Sequence, residues 1–163
     1  MKRHIFFVIF LIISVIFYFS YKGKTMRIPT KPDIMILTSD AFRDGETIPK
    51  RYTCDGEDVS PQLSWADVPE NTRSFAITCE DPDAQGKTFV HWVIYNIPPI
   101  RRSLPENIPS NREILLDAGI KQGVNDFNQI GYRGPCPPPG KLHRYIFTIY
   151  ALNTPIELDE GDR

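Results

Sequence analysis

Residues 74–97 read SFAITCEDPDAQGKTFVHWVIYNI, two apolar runs joined by a short polar segment. The runs SFAITC (74–79) and FVHWVIYNI (89–97) are rich in β-branched and aromatic residues, which is typical of strands. The segment between them contains proline, glycine and aspartate, which favour turns. This stretch predicts two successive strands, and the long second run predicts a central strand that is buried on both faces.

Two more runs, IMIL (34–37) and YIFTIYAL (145–152), have the same character, and the second again predicts a strand buried on both faces. No segment after Ile28 shows sustained helical periodicity with good caps. Fifteen of the 163 residues are proline, about twice the usual frequency of ~5%, which argues against a helical bundle. We therefore predict an all-β domain over residues 28–163. Eight of the prolines lie in residues 98–142, a long loop region of a kind that is often functional.

Charge is distributed unevenly along the chain. Residues 1–27 contain five Lys or Arg and no acid, so residues 28–163 hold 14 basic and 20 acidic residues. That second part contains no long basic run, and we therefore expect no nucleic-acid partner.

The N-terminus predicts a membrane segment. Ile5 to Tyr21 is an uncharged apolar run of seventeen residues, which as a helix spans ~25 Å of a hydrocarbon core of ~30 Å. A cleaved signal peptide is the alternative, but the positions before Ser20 and Gly23 lack the small residues that cleavage needs. We expect residues 1–27 to be a single-pass anchor or an uncleaved signal segment, with the following domain outside the cytoplasm. The flanking Lys and Arg residues leave the orientation open.

The turn after the first run brings two acids together. Pro82 favours an extended conformation at Asp81. Side chains at alternate positions of an extended chain point the same way, so Asp81 and Asp83 are predicted to project together at a sheet rim. His91 lies early in the next strand and is predicted to return to the same rim. Strict alternation predicts that it shares a face with Val93, with Trp92 on the opposite face.

A second group of polar residues lies in GYRGPCPPPGKLHRY, residues 131–145. Its prolines and glycines predict a stiff loop with few free N–H groups. This loop would deliver His143 and Tyr145 to one face of the last strand. If the two segments meet, they gather two acids, two imidazoles and a phenol.

Taken together, these motifs resemble the phosphatidylethanolamine-binding protein family, which includes the Raf kinase inhibitor proteins, and the likeness is closest to its prokaryotic branch. The motifs are DPDA (81–84), the pair HW (91–92) and GPCPPPGKLHRY (134–145). LTSDAFRDGETIPKRYTCDGEDVSPQLSWADVP (37–69) is similar to the N-terminal half of that branch, and NDF (125–127) to the segment before its glycine-rich loop. The resemblance covers about residues 34–157.

The resemblance implies a β-sandwich-like fold of antiparallel sheets with a small pocket at one end. That pocket would accept phosphate-bearing small molecules or phospholipid head groups, without a cofactor or a metal. The family motifs place these ligand-binding residues in the pocket: Asp81, Asp83, His91, Pro135, His143 and Tyr145. Family members are not generally catalysts. Some inhibit kinases or proteases, which makes such an enzyme a candidate protein partner, and others act as scaffolds.

The chain departs from the family pattern in three places. It stops at LDEGDR, where the family usually continues into a C-terminal helix beside the pocket. Asn128 and Arg133 stand where glycine is common, and Arg133 adds a candidate anion contact. The apolar N-terminal run is not a family hallmark.

The chemistry of the group leaves two other classes open. Asp81, Asp83, His91 and His143 form a candidate ligand set for zinc or manganese, so a metal-dependent hydrolase is the alternative. An inhibitor or scaffold without a small ligand is the other. The common nucleophile-elbow, P-loop and zincin motifs are absent from the sequence.

For a binding pocket, protonated imidazoles would donate hydrogen bonds to phosphate oxygens, and a neighbouring carboxylate would raise the histidine pKa. Two carboxylates, however, repel a phosphate unless they are paired or face a cationic part of the ligand. A zwitterionic head group suits such a site.

The three cysteines, Cys54, Cys79 and Cys136, match no zinc-binding spacing. We expect them to be small, partly buried residues without a bond, with one disulfide as the alternative outside the cytoplasm.

Overall fold

The computed structural model describes residues 34–110, 119–159 and 161–162. The chain divides into two compact units, Met1–Pro32 and Asp33–Arg163, and the described residues all lie in the second. The apolar run Ile5–Tyr21 therefore lies outside the described residues. Within the described ranges, no helix is long and apolar enough to cross a bilayer.

Within these ranges, seven strands form two sheets in which neighbouring strands are antiparallel. The first sheet has the order β1 (Ile36–Thr38), β2 (Leu63–Ala66), β5 (Ser103–Leu104). The second has the order β6 (Lys121–Gln122), β4 (Phe89–Ile97), β3 (Ser74–Asp81), β7 (Ile146–Leu152). The only helical segment in the described part of the chain is a single 3-10 turn, Lys50–Tyr52. The prediction of a mainly β domain with antiparallel sheets is confirmed.

The core lies between the two sheets. Leu63 and Trp65 of β2 pack against Phe75 and Ile77 of β3 and Ile94 of β4 in one buried cluster. The rings of Trp65 and Phe75 meet edge to face with their centroids 5.4 Å apart. Burial of these side chains removes their apolar surface from water, and this supplies the main driving force for packing the sheets together.

The prediction for β4 holds, since the strand coincides with the run FVHWVIYNI and lies inside its sheet. The prediction that β7 is also buried on both faces is wrong, because this edge strand packs only one face against the core. Phe147 and Ile149 pack against the core, whereas Ile146 and Tyr150 on the other face are 46% and 44% exposed. An apolar run does not distinguish these cases, because edge strands and central strands favour the same residue types.

A β-bulge changes the predicted faces of β4. Cys79 pairs with Trp92 and Glu80 with Val90, so β4 has one extra residue, His91, at this point. His91 and Trp92 are both buried, and the His91 ring contacts Phe89 and Tyr145 on the side of the sheet that also carries Cys79 and Trp92. The expectation that His91 and Trp92 lie on opposite faces is therefore wrong, because the bulge breaks the alternation and turns His91 towards the core side.

Candidate functional site

A cavity of about 850 Å³ opens at the end of the hairpin formed by β3 and β4. Its lining comes from three segments that are distant in sequence: the β3–β4 hairpin, Phe127, and the loop before β7. The lining residues are Asp81, Asp83, Ala84, Gln85, Phe89, His91, Phe127, Cys136, Pro137, Pro138, Lys141, Leu142, His143 and Arg144. The structure thus brings together four of the six sequence-predicted site residues.

Asp81 and His143 form the central contact of this cavity. His143 Nδ1 lies 2.7 Å from Asp81 Oδ2, and only 9% and 5% of the two side chains is exposed. The carboxylate accepts, so Nδ1 carries a proton and Nε2 is the ring nitrogen left for other partners. Asp81 Oδ1 also accepts from the backbone N–H of Asp83 at 2.8 Å. This Asx turn fixes the position of both acids.

Asp83 is held by the residue after His143. Its carboxylate accepts two hydrogen bonds from the Arg144 guanidinium, at 2.9 and 2.7 Å, and a third from the Arg144 backbone N–H at 2.8 Å. The guanidinium, and then the backbone N–H, hold the pKa of Asp83 well below its usual range. Asp83 therefore stays ionised and paired at neutral pH.

His91 sits deeper and makes a different contact. Its Nδ1 lies 2.7 Å from the carbonyl oxygen of Arg133, so Nδ1–H donates and Nε2 is the acceptor of the neutral ring. Burial lowers the pKa of His91, against the opposing effects of the Arg133 carbonyl and Asp81. The expectation of a protonated imidazole is therefore not met by His91, because desolvation outweighs its charged neighbour.

Aromatic rings surround His91 on three sides. Phe89, Phe127 and Tyr145 each meet its ring edge to face, with centroids 5.3, 5.2 and 5.1 Å away. These contacts fix the orientation of the imidazole and remove most of its surface from water. Phe127 belongs to the NDF segment, but the sequence reasoning did not select it as a site residue.

Tyr145 and Pro135 lie outside the cavity lining that the family motifs predict for them. Tyr145 meets the His91 ring edge to face, and its buried hydroxyl lies near the Asp81 carboxylate and the Cys136 backbone. Burial, and then the Asp81 carboxylate, raises the pKa of Tyr145 to about 12. Pro135 is buried where its loop meets the segment around Cys54, and its carbonyl accepts from the Cys54 N–H at 3.1 Å. Both residues thus contact groups next to the cavity without lining it.

A disulfide links Cys54 to Cys136, while Cys79 is free and fully buried. The expectation that all three cysteines are unbonded is therefore wrong. Spacing did not reveal the pair, because the partners are 82 residues apart and only the fold brings them together. Since Cys136 lines the cavity, the bond ties the cavity wall to the segment around Thr53.

Several contacts close to the disulfide hold the same loop. The Gly134 N–H donates to Asp58 Oδ1 at 2.6 Å, and the Tyr132 hydroxyl donates to the Tyr52 carbonyl at 2.8 Å. A Cβ on Gly134 would lie 2.2 Å from the Tyr52 carbonyl oxygen, so only glycine allows this close approach. The loop is therefore fixed at residues 132–136, just before Pro137.

Two residues that depart from the family pattern have a structural account. Asn128 has a φ of 59°, and asparagine tolerates this left-handed conformation better than other non-glycine residues. Arg133 pairs with Asp58 at 3.0 Å and is absent from the cavity lining. Asp58 holds the Arg133 guanidinium away from this cavity, and an anion contact of Arg133 at the loop stays a prediction.

Sequence reasoning missed Arg144 as a site residue, although it stands inside the quoted HRY motif. No pattern in the sequence indicated this role, because a residue between two inward-pointing side chains of an extended chain ordinarily points outward, away from the site. The Arg144 side chain does so and is 72% exposed, yet its guanidinium binds the Asp83 carboxylate.

The described residues contain no group of three or more His, Cys, Asp and Glu side chains arranged to hold a metal ion. Asp81 and Asp83 are turned instead towards His143 and Arg144.

The chain is similar to a known protein family. The family model described as phosphatidylethanolamine-binding protein matches residues 38–162. A UPF0098 protein of Aquifex aeolicus (strain VF5) is 53% identical over 121 residues, which cover 74% of this chain and 69% of that protein.

Two solved structures are similar as well. The first is a putative phosphatidylethanolamine-binding protein homologue, CT736, from Chlamydia trachomatis. It has a TM-score of 0.69 and 39% identity over 81% of this chain and 84% of that one. The second is YbcL of Escherichia coli, described as a member of the mammalian PEBP family, with a TM-score of 0.74 and 36% identity over 79% and 83%.

Proposed function

Because the chain belongs to the phosphatidylethanolamine-binding protein family, whose members are generally non-catalytic binding proteins, we propose that its cavity binds the phosphoryl group of a small molecule or of a phospholipid head group. Family membership confirms the resemblance that the motifs carry. The ligand and the absence of turnover are proposals that rest on the geometry of the cavity.

The pairing of both cavity acids carries this proposal. Two free carboxylates would repel a phosphate, but Asp81 is hydrogen-bonded to His143 and Asp83 to Arg144. Each carboxylate therefore already has a hydrogen-bond donor as its partner, and further donors of the loop lie beside the cavity. Hydrogen bonds to charged groups contribute ~1.5–3 kcal/mol each, so a few such donors suffice for moderate affinity.

A zwitterionic ligand fits the remaining groups. His91 is neutral and offers Nε2 as an acceptor, whereas Arg144 on the opposite segment is a donor and His143 Nε2 donates when its ring is protonated. An ammonium or a protonated phosphoryl oxygen would pair with the acceptor, and phosphoryl oxygens with the donors. Phosphoethanolamine carries both kinds of group and is the soluble ligand we choose as a probe.

The proposal extends to location and partners. We propose that residues 5–21 anchor the chain in a membrane and that the domain lies outside the cytoplasm. We also propose that ligand binding modulates a kinase or a protease, as in some relatives of the family. A metal-dependent hydrolase that uses Asp81, Asp83, His91 and His143 is the alternative function.

Calorimetric titration of the purified full chain with phosphoethanolamine tests the proposal. We expect saturable binding by the wild type and a loss of about tenfold or more in His143→Asn, equal to ~1.4 kcal/mol. Asparagine keeps a donor for Asp81 but lacks Nε2, so the fold is preserved while the ligand contact is lost. Glu80→Gln is the matched control, because Glu80 precedes Asp81 on β3 but points away from the cavity.

A product assay and metal analysis on the same samples distinguish the alternative. We expect no hydrolysis of phosphoesters or phospholipids. Stoichiometric metal, with turnover that chelation and His143→Asn both abolish, would replace the binding module with a hydrolase.

A further inference from the structure

We propose that the loop segment Pro137–Arg144, called the rim below, docks onto a lipid bilayer that contains anionic lipids, with Leu142 inserted between the head groups. This inference rests on the proposed function and narrows its ligand from phosphoryl compounds in general to a lipid taken at the membrane surface.

The exposure of Leu142 is the first observation. Its side chain is 100% exposed, although it lines the mouth of the cavity. A large apolar side chain at such a place gains free energy when it leaves water, and the neighbouring Pro137 and Pro138 add apolar surface. Six other large apolar residues in the described part of the chain are exposed, but none of them lines the cavity: Ile34, Ile36, Ile100, Ile146, Tyr150 and Leu158.

The second observation is the order of polarity along the cavity. Asp81 and His91 are 4% and 3% exposed and form its polar floor, whereas Leu142 stands fully exposed at the mouth. A free phosphate needs the floor alone. A lipid would place its polar head against the floor and its acyl chains against the apolar mouth, so the order of groups fits an amphipathic ligand.

Charge at the mouth favours an anionic surface. Asp83 is paired with Arg144, and Asp81 with His143, so both carboxylates of the lining are engaged. Lys141, next to Leu142, is exposed and makes no ion pair within the ranges that the structure describes. One free cation beside one free apolar side chain suits the interface of a bilayer.

The shape of the rim favours a lipid over a protein. Stable protein interfaces bury ~800 Å² on each partner around a packed apolar centre. Leu142 is a single apolar tip flanked by Lys141 and His143, which suits shallow insertion better than a broad contact.

The test uses the full chain reconstituted in vesicles of phosphatidylethanolamine and phosphatidylglycerol, with an environment-sensitive fluorophore at Leu142→Cys. Labelling is selective, because Cys54 and Cys136 are bonded and Cys79 is buried. Ile100→Cys is the matched control: Ile100 is 84% exposed and follows the end of β4 that lies away from the cavity. We expect brominated lipid to quench the label at position 142 several-fold more strongly than the label at position 100.

Charge variants refine the test. Lys141→Glu should weaken the quenching at position 142 in vesicles with phosphatidylglycerol, and Arg73→Glu, at the far end of β3, should leave it unchanged. Equal, weak quenching at both labelled positions would overturn the inference. Protection of position 142 from iodide without quenching by brominated lipid would also overturn it, since a protein would then cover the rim.

Titration of the same reconstituted samples with phosphoethanolamine separates the two proposals. Soluble binding without lipid quenching at position 142 would reject the docking surface and leave the proposed function intact. Lipid quenching without phosphoethanolamine binding would support the docking surface and reject the pocket function.

Discussion

His143 Nδ1 and Asp81 Oδ2 lie 2.7 Å apart, although the residues are separated by 62 positions in the sequence. This contact joins the β3–β4 hairpin to the loop before β7. A second contact reinforces it: Asp83, two residues after Asp81, binds Arg144, the residue after His143. The cavity therefore depends on two parallel contacts between the same two segments.

The first prediction concerns Asp81. We expect Asp81→Asn to weaken phosphoethanolamine binding by about tenfold, or ~1.4 kcal/mol, because a neutral amide is a weaker acceptor than a carboxylate for the His143 Nδ1–H and holds the ring less firmly. Titration calorimetry at pH 7 measures the loss. Glu80→Gln removes a charge from the adjacent position and should bind like the wild type. Equal affinities for Asp81→Asn and the wild type would contradict the role of the pair.

The second prediction concerns the prolines of the cavity wall. A variant with Pro137→Ala, Pro138→Ala and Pro139→Ala should fold but bind several-fold more weakly, because the more flexible loop loses more entropy on ordering. The double variant Pro98→Ala and Pro99→Ala, in the loop after β4, is the control and should bind normally. Circular dichroism checks the fold, and undiminished affinity in the triple variant would count against a preformed wall.

The third prediction concerns the disulfide. Both Cys54 and Cys136 are exposed, so a mild reductant should reach the bond without unfolding the domain. We expect reduction, or the variant Cys54→Ser with Cys136→Ser, to lower the free energy of unfolding by about 2–4 kcal/mol. Urea unfolding of oxidised and reduced protein measures this difference. The double variant should not respond to the reductant; a further loss in that variant would show that the reductant acts by a route other than this bond.

The fourth prediction follows from the lowered pKa of His91. The unfolded chain protonates this histidine near pH 6.5, whereas the folded protein resists protonation. The unfolded state therefore binds more protons below that pH, and the contribution of His91 to stability is present above pH ~6.5 and lost as the pH falls further. Urea unfolding between pH 8 and pH 5 should show a smaller loss in His91→Gln than in the wild type. A parallel decline in both proteins would refute the neutral ring.

The fifth prediction concerns the N-terminus. We expect the full chain to remain with membranes after a carbonate wash, because residues 5–21 are uncharged and long enough to cross a hydrocarbon core. A version that begins at Ile28 should be soluble. Loss of the full chain from washed membranes, or a mature N-terminus beyond residue 20, would refute the anchor.

Residues 74–97 and 145–152 determined much of the fold by themselves. Their β-branched and aromatic runs identified β3, β4 and β7 to within a few residues, because side chains of these types favour extended backbone wherever the strand is placed. The motifs around Asp81, His91 and His143 also predicted that distant segments would meet at one cavity.

The tertiary structure decided what depends on neighbours in space. It placed β7 at an edge, put a bulge at His91 and joined Cys54 to Cys136, and none of these follows from local preference. It also paired the two acids, because Asp81 contacts His143 and Asp83 contacts Arg144 only in the folded chain. The pKa of His91 was decided there as well, because the desolvation that lowers it comes from rings that only the folded chain brings together.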